Sequence, residues 1–136
     1  MYQKIELIGD LGRDPEMRYT PSGQAVTNFS IAVSESYTRK DGEQVKNTTW
    51  FRVSSWGNIA ENCAKYLSKG SRVFVEGKVK CHVYQKKDGT WEGNLEVTAS
   101  SVKFLDKMSN GNGAKKDDGE GRYEYDDVDI PGFMQD

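Results

Sequence analysis

The residues with the most chemical promise lie in one short run, Thr49-Trp50-Phe51-Arg52-Val53-Ser54-Ser55-Trp56-Gly57. Read as a strand, its period-two alternation puts Trp50, Arg52, Ser54 and Trp56 on one face and Phe51 and Val53 on the other. Phe51 and Val53 are ordinary core residues. The opposite face holds two indoles with a guanidinium between them. That set suits a flat, π-faced, negatively charged ligand, and unstacked nucleic acid is the commonest of that kind. The competing reading buries both Trp side chains and leaves Arg52 to snorkel.

Similar residue types recur around this run. Residues 72–84 read as a long strand with Val73, Val75, Val79, Cys81 and Val83 on the inward parity. Phe74, Glu76, Lys78, Lys80, His82 and Tyr84 take the other, and Tyr84 leads into a hairpin carrying Lys86 and Lys87. Tyr37-Thr38-Arg39-Lys40 opens a polar stretch, residues 37–46, that reads as a mobile hairpin loop around Asp41-Gly42. The aromatics Tyr37, Trp50, Trp56 and Tyr84 are thus interleaved with Arg39, Lys40, Arg52, Lys78, Lys80, Lys86 and Lys87. Bases would stack on the first set while phosphates follow the second. Phe74 and Tyr66 are assigned to packing or subunit contact.

Catalytic and metal-binding patterns are weak by comparison. His82 is the single histidine and no C-x₂-C spacing exists, so no metal site is expected. Cys81 and His82 are adjacent on a strand and point to opposite faces, which excludes a dyad there. Six residues separate Gly70 from Gly77-Lys78 where a phosphate loop needs four. Glu35, Glu61 and Glu76 read as solvated positions. The chain is expected not to be an enzyme.

The elements that must carry these residues follow from hydrophobic period and turn signals. Strands are expected over residues 1–8, 25–34, 48–56, 72–84 and 91–104. Gly9 and Gly12 mark a bulge or turn before an extended piece through Tyr19. In the second strand Phe29, Ile31 and Val33 face in, while Asn28, Ser30 and Ser34 face out. Gly77 marks a bend or bulge, and Leu95, Val97 and Ala99 point inward from the last strand. Asn58 can cap a helix over residues 59–67 whose buried stripe is Ile59, Cys63, Tyr66 and Leu67, with Gly70 just beyond its end. Five strands with one short helix between the third and fourth make the element order of the all-β OB-fold barrel. Such barrels bind oligonucleotides or oligosaccharides, so element order leaves single-stranded DNA, structured RNA and carbohydrate all open.

Composition divides the 136 residues in two. Residues 1–106 carry 15 Lys+Arg against 13 Asp+Glu, net +2, and residues 107–136 carry 4 against 8, net -4. Periodicity stops at Lys107, and a mean hydropathy of -0.79 is low for a fully folded chain. Residues 1–106 are expected to form the barrel domain and residues 107–125 a disordered linker. Residues 126–136 form an acidic tip in which Asp126, Asp127 and Asp129 adjoin Ile130, Pro131 and Phe133, apolar groups that a purely solvating tail would not need. No apolar run approaches the roughly 20 residues of a membrane span, and Met1-Tyr2-Gln3-Lys4 opens no signal peptide. The expectation is a soluble, cytoplasmic, nucleoid-associated protein with Cys63 and Cys81 reduced.

Longer motifs carry a resemblance to a known family. They are Lys4-Ile5-Glu6-Leu7-Ile8-Gly9-Asp10-Leu11-Gly12-Arg13-Asp14-Pro15-Glu16-Met17-Arg18-Tyr19, Ala32-Val33-Ser34-Glu35-Ser36-Tyr37 and Thr49-Trp50-Phe51-Arg52-Val53. Ala60-Glu61, Tyr66-Leu67-Ser68-Lys69-Gly70 and Val75-Glu76-Gly77 continue the pattern. Over residues 1–104 the chain resembles the bacterial single-stranded DNA-binding proteins. The resemblance implies DNA-stacking aromatics at Tyr37, Trp50, Trp56 and Tyr84, a homotetramer of OB domains, and no cofactor or catalysis. It also implies service in DNA replication, recombination and repair, with replication and repair proteins recruited through the acidic tail. The tail departs from the family pattern, an acidic run followed by Ile-Pro-Phe with Phe last. Here Gly132 separates Pro131 from Phe133, and Met134-Gln135-Asp136 follow.

Overall fold

The computed structural model describes residues 1–105, so the linker and the acidic tip lie outside the described residues. The elements are β1 (Ile5–Leu11), β2 (Glu16–Tyr19), β3 (Ala25–Thr38), β4 (Gln44–Trp56), α1 (Asn58–Tyr66), β5 (Arg72–Gln85) and β6 (Trp91–Phe104). β1 pairs with β5, β5 with β6, β6 with β4, and β4 with β3. β3 meets β1 again through Asp10↔Ala32 and Leu11↔Ile31, which closes the ring. β2 is a four-residue addition that pairs with β3 at residues 25–28. Only the β4–β6 pair is parallel. The fold is a closed five-strand barrel with one helix, the OB-fold architecture expected.

Closure forces alternate residues of each strand inward. Leu11, Phe29, Ile31, Phe51, Val53, Val73, Val75, Val97 and Ala99 fill the interior, joined by Cys63 of α1 and Leu67 at its C-cap. Burying each Phe, Leu, Ile or Val side chain contributes roughly 1.5–3 kcal/mol. One side-chain bond ties the helix to the barrel, and a second ties β4 to β3 beside it. Thr27 Oγ1 donates to the Ala60 carbonyl at 2.7 Å, and Ser55 Oγ donates to the Thr27 carbonyl at 3.1 Å. Burial pushes the Cys63 thiol up to about 11, against a smaller opposing effect of its hydrogen bond to Ser55, so it stays neutral at pH 7.

Two close backbone approaches shape the ring. A side chain at Gly9 would meet the Ala32 carbonyl oxygen at 2.6 Å where β1 crosses β3, so the strand runs through Gly9 to Leu11 rather than turning there. At its other end it begins at Ile5, and Met1 and Tyr2 are exposed. The second approach is at Gly77, where the β5–β6 register shifts and a Cβ would run into the Thr98 carbonyl oxygen. This is the expected bulge.

Several local expectations change for physical reasons. Gly57, with φ 67°, occupies the N-cap position of α1 in place of Asn58, and its left-handed backbone is open to glycine at little cost. Ala60 and Cys63 of this nine-residue helix are buried, as is Leu67 at its C-cap, and Ile59 packs half-buried against the core. Tyr66 falls outside this set, in solvent, its ring 6.1 Å from that of Phe104. Ser30 has the outward parity expected but is buried, because the chain leaving β1 lies over it, with Gly12 N–H donating to the Ser30 carbonyl at 3.1 Å.

Two hairpins also run further than their sequences indicate. β3 and β4 stay paired out to Thr38↔Gln44, leaving only residues 39–43 as the turn, where a longer loop was expected. β5 and β6 stay paired to Gln85↔Trp91. Past Lys80 this ribbon outruns the barrel, so Cys81 and Val83 are exposed although their parity is inward.

Gly77→Ala should destabilise the domain, because the added methyl group meets backbone rather than a yielding side chain. Overpacking of this kind costs about 1–3 kcal/mol. The melting midpoint, followed by circular dichroism, should fall by at least about 4 °C.

Candidate nucleic-acid interface

Because the barrel interior is filled, chemistry is confined to its outer face and its two ribbons. β4 shows the predicted alternation: Phe51, Val53 and Ser55 are buried, Trp50, Arg52 and Ser54 half-buried, and Trp56 41% exposed. Both indoles are therefore on the outer side, and the reading that buries them in the core is excluded. Asn28 of β3 accepts a hydrogen bond from Ser54 Oγ at 3.0 Å between the two indole positions.

β6 lies beside β4 in parallel register, Arg52↔Glu96 and Ser54↔Thr98, and β5 lies on its far side, Lys80↔Glu96 and Lys78↔Thr98. Residues level with one another across a sheet share a face. Trp50, Arg52 and Trp56 thus stand on one surface with Lys78, Lys80, His82 and Tyr84, as the alternation of each strand implied separately. Lys78 and Lys80 are exposed, with no ion pair among the described residues. The His82 and Tyr84 rings are stacked at 28° with centroids 6.1 Å apart.

The two ribbons carry the remaining sites. Tyr37 lies near the end of β3, 51% exposed, opposite Val45. Arg39 and Lys40 sit in the adjoining turn, with Arg39 Nη1 3.7 Å from Glu43 Oε1. Lys86 and Lys87 occupy the β5–β6 turn, where Lys86 N–H donates to the Thr90 carbonyl at 2.7 Å. The Lys86 amine is 2.6 Å from Glu92 Oε1, and that bond and charge raise its pKa. The tip residues Asp126, Asp127, Asp129, Ile130, Pro131 and Phe133 lie outside the described residues.

Three features of β6 escaped the sequence reading. Glu92 and Glu96 share the outer parity of β6, and Glu96 Oε2 lies 3.7 Å from Arg52 Nη1. Asn94, between them in sequence, is buried, and its Oδ1 has no hydrogen-bond partner among the described residues. Trp91, 67% exposed, stands on the opposite face of the β5–β6 ribbon. The parity of residues 92, 94 and 96 was available, but the strands flanking β6 are set by tertiary pairing. Among the described residues no group of three or more His, Cys, Asp or Glu side chains could hold a metal ion, and no helix is long and apolar enough to cross a membrane.

A barrel of this topology with an aromatic and cationic outer face defines an OB-fold nucleic-acid-binding module. Comparison with known proteins narrows the class. The model of the Single-strand binding protein family matches residues 2–105, and the chain belongs to that family. It is 40% identical over 120 residues to a single-stranded DNA-binding protein of Neisseria meningitidis serogroup A, spanning 88% of this chain and 69% of that one. Identity to single-stranded DNA-binding protein 1 of Chlorobaculum tepidum is 37% over 111 residues, 81% of this chain and 68% of the relative. Among solved structures, the Plasmodium falciparum SSB in complex with ssDNA superposes with a TM-score of 0.67 at 28% identity, covering 78% of this chain and 97% of that one.

Proposed function

We propose that this chain binds single-stranded DNA with little regard to sequence, shielding exposed strands during replication, recombination and repair without catalysing a reaction. The observation that carries the reading is the surface itself: Trp50, Arg52 and Trp56 of β4 level with Lys78 and Lys80 of β5, flanked by the Tyr37 and Tyr84 ribbons. Bases stack on the rings because every base has a π face. The backbone follows Arg39, Lys40, Arg52, Lys78, Lys80, Lys86 and Lys87. A duplex hides its π faces, so the same surface discriminates against it. The proposed site of action is the cytoplasm, at the nucleoid.

Intrinsic Trp fluorescence titrated with oligo-dT and with an equal-length duplex at two salt concentrations tests this reading. Oligo-dT should quench strongly and the duplex weakly. Stacking is worth roughly 1–3 kcal/mol per base, so Trp50→Ala or Trp56→Ala should weaken oligo-dT binding by about tenfold. In the same titration affinity should fall with salt, at about 0.7 counterions per neutralised phosphate, and Lys78→Ala should flatten the slope. Salt-independent binding, or full affinity in a folded Trp56→Ala protein, would refute the assignment.

The same proposal includes assembly into a homotetramer. Its support is apolar surface away from the aromatic face: Ile8 at 52% exposure, level with Phe74 of β5, together with exposed Tyr66, Phe104 and Leu105. β1 meets β3 only at Asp10 and Leu11, which leaves the other edge of residues 5–9 open to pair with another strand. Sedimentation equilibrium should give about four times the 15.3 kDa chain mass, and a monomer at micromolar concentration would exclude the assembly.

The acidic segment supplies the recruiting function. From Tyr123 onward it holds five acidic groups and no basic one, so it competes with DNA for the cations, while Ile130, Pro131 and Phe133 offer partners an apolar anchor. Deleting residues 107–136 takes the net charge from -2 to +2 and should modestly raise oligo-dT affinity at low salt. That gain should vanish at 1 M salt, where the Debye length is about 3 Å. Phe133→Ala should abolish capture of replication and repair proteins with oligo-dT binding unchanged. Full capture by that variant would reduce the segment to an electrostatic role.

A further inference from the structure

We propose that Glu96, with Glu92 as a second instance, competes with DNA phosphates for the cations of the outer face and thereby sets the affinity and salt response of the complex. The inference rests on the reading of this face as the single-stranded DNA surface. It starts from the register. β6 is the strand between β4 and β5, and Glu96 is level with Arg52 on one side and Lys80 on the other. Its Oε2 is 3.7 Å from the Arg52 guanidinium, with the glutamate side chain 40% exposed. Nearer the ribbon tip, Glu92 holds the Lys86 amine at 2.6 Å.

Arg52 and Lys86, like Arg39 beside Glu43, therefore already carry a carboxylate. A phosphate can take Arg52 or Lys86 only by displacing an anion that the backbone keeps within reach. Partly exposed ion pairs of this kind are weak, so displacement lowers affinity without blocking binding. The displaced carboxylate cannot diffuse away. It remains on the central strand beside the incoming phosphate, well inside the Debye length of about 10 Å at 0.1 M salt, and repels it. Lys78 and Lys80 make no ion pair among the described residues, although Glu96 is level with Lys80 as well. Glu96 thus acts through Arg52, as a positioning residue whose charge opposes the ligand.

The test compares full-length wild type, Glu96→Gln and Glu61→Gln for oligo-dT binding over a salt series. The Glu61→Gln control changes net charge equally on α1, away from the sheet face. Glu96→Gln should bind roughly two- to fivefold more tightly at low salt, the size of one exposed ion pair, and more tightly than the control. Its log affinity against log salt should be steeper by up to about 0.7, one further neutralised phosphate. The gain should shrink in an Arg52→Gln background. Affinity equal to wild type or to the Glu61→Gln control overturns the proposal. So does weaker binding with an unchanged melting curve, which would make Glu96 a contact to the DNA. If Glu96→Gln does not fold, Glu92→Gln, released from Lys86, is judged by the same criteria. Wild type that ignores oligo-dT overturns the functional reading itself, whereas wild type that binds while Glu96→Gln gains nothing overturns only the competition.

Discussion

Closure of the sheet is the constraint from which the rest of this molecule follows. Five strands can return on themselves only if β1 passes tightly against β3 at Gly9 and β5 bends over β6 at Gly77, where any side chain would run into backbone. Once closed, the barrel has an inside just large enough for Leu11, Phe29, Ile31, Phe51, Val53 and their neighbours. Alternate residues on each strand must then face outward. Trp50, Arg52 and Trp56 are presented on that exterior because Phe51, Val53 and Ser55 are committed to the interior. The same geometry that makes the core makes the binding face.

The exterior is also an electrostatic compromise. The barrel region has a net charge of only +2, and much of its positive charge is already partnered: Arg52 by Glu96, Lys86 by Glu92, Arg39 by Glu43. A surface meant to hold a polyanion permanently would have little use for those carboxylates. On the proposed function, a protein that covers strands that enzymes must soon reach needs grip that can be surrendered. On that proposal, weak internal pairs and an acidic segment on the same chain would provide it by the same physics, competition for cations at short range.

The two ribbons extend this logic beyond the barrel. β3–β4 and β5–β6 remain hydrogen-bonded past the point where there is a core to bury, so their side chains are exposed on both faces. Cys81, Val83 and Trp91 show what that means, with apolar residues in solvent despite an inward parity. Backbone pairing keeps Tyr37 and Tyr84 on ordered strands beyond the core, with the Tyr37 ring exposed and the Tyr84 ring stacked on His82.

Much of this was legible in the sequence, because alternation is a local property. The faces of β4, the inward Leu95, Val97 and Ala99, the bulge at Gly77 and the single helix could each be read from a few neighbouring residues, and so could the candidate aromatics and cations. Where neighbours in space are distant in sequence, reading along the chain had no purchase. Ser30 is buried because the chain after β1 crosses it, and Tyr66 is exposed because the helix meets the barrel on a narrow stripe. Cys81 leaves the core because its ribbon outruns it. Glu96 meets Arg52 because a parallel pairing places residue 96 beside residue 52. Side-chain period alone determined which residues could share a face. Which faces met, and which charges were already spent on one another, was decided only by strand order and register, since these depend on how the whole sheet closes.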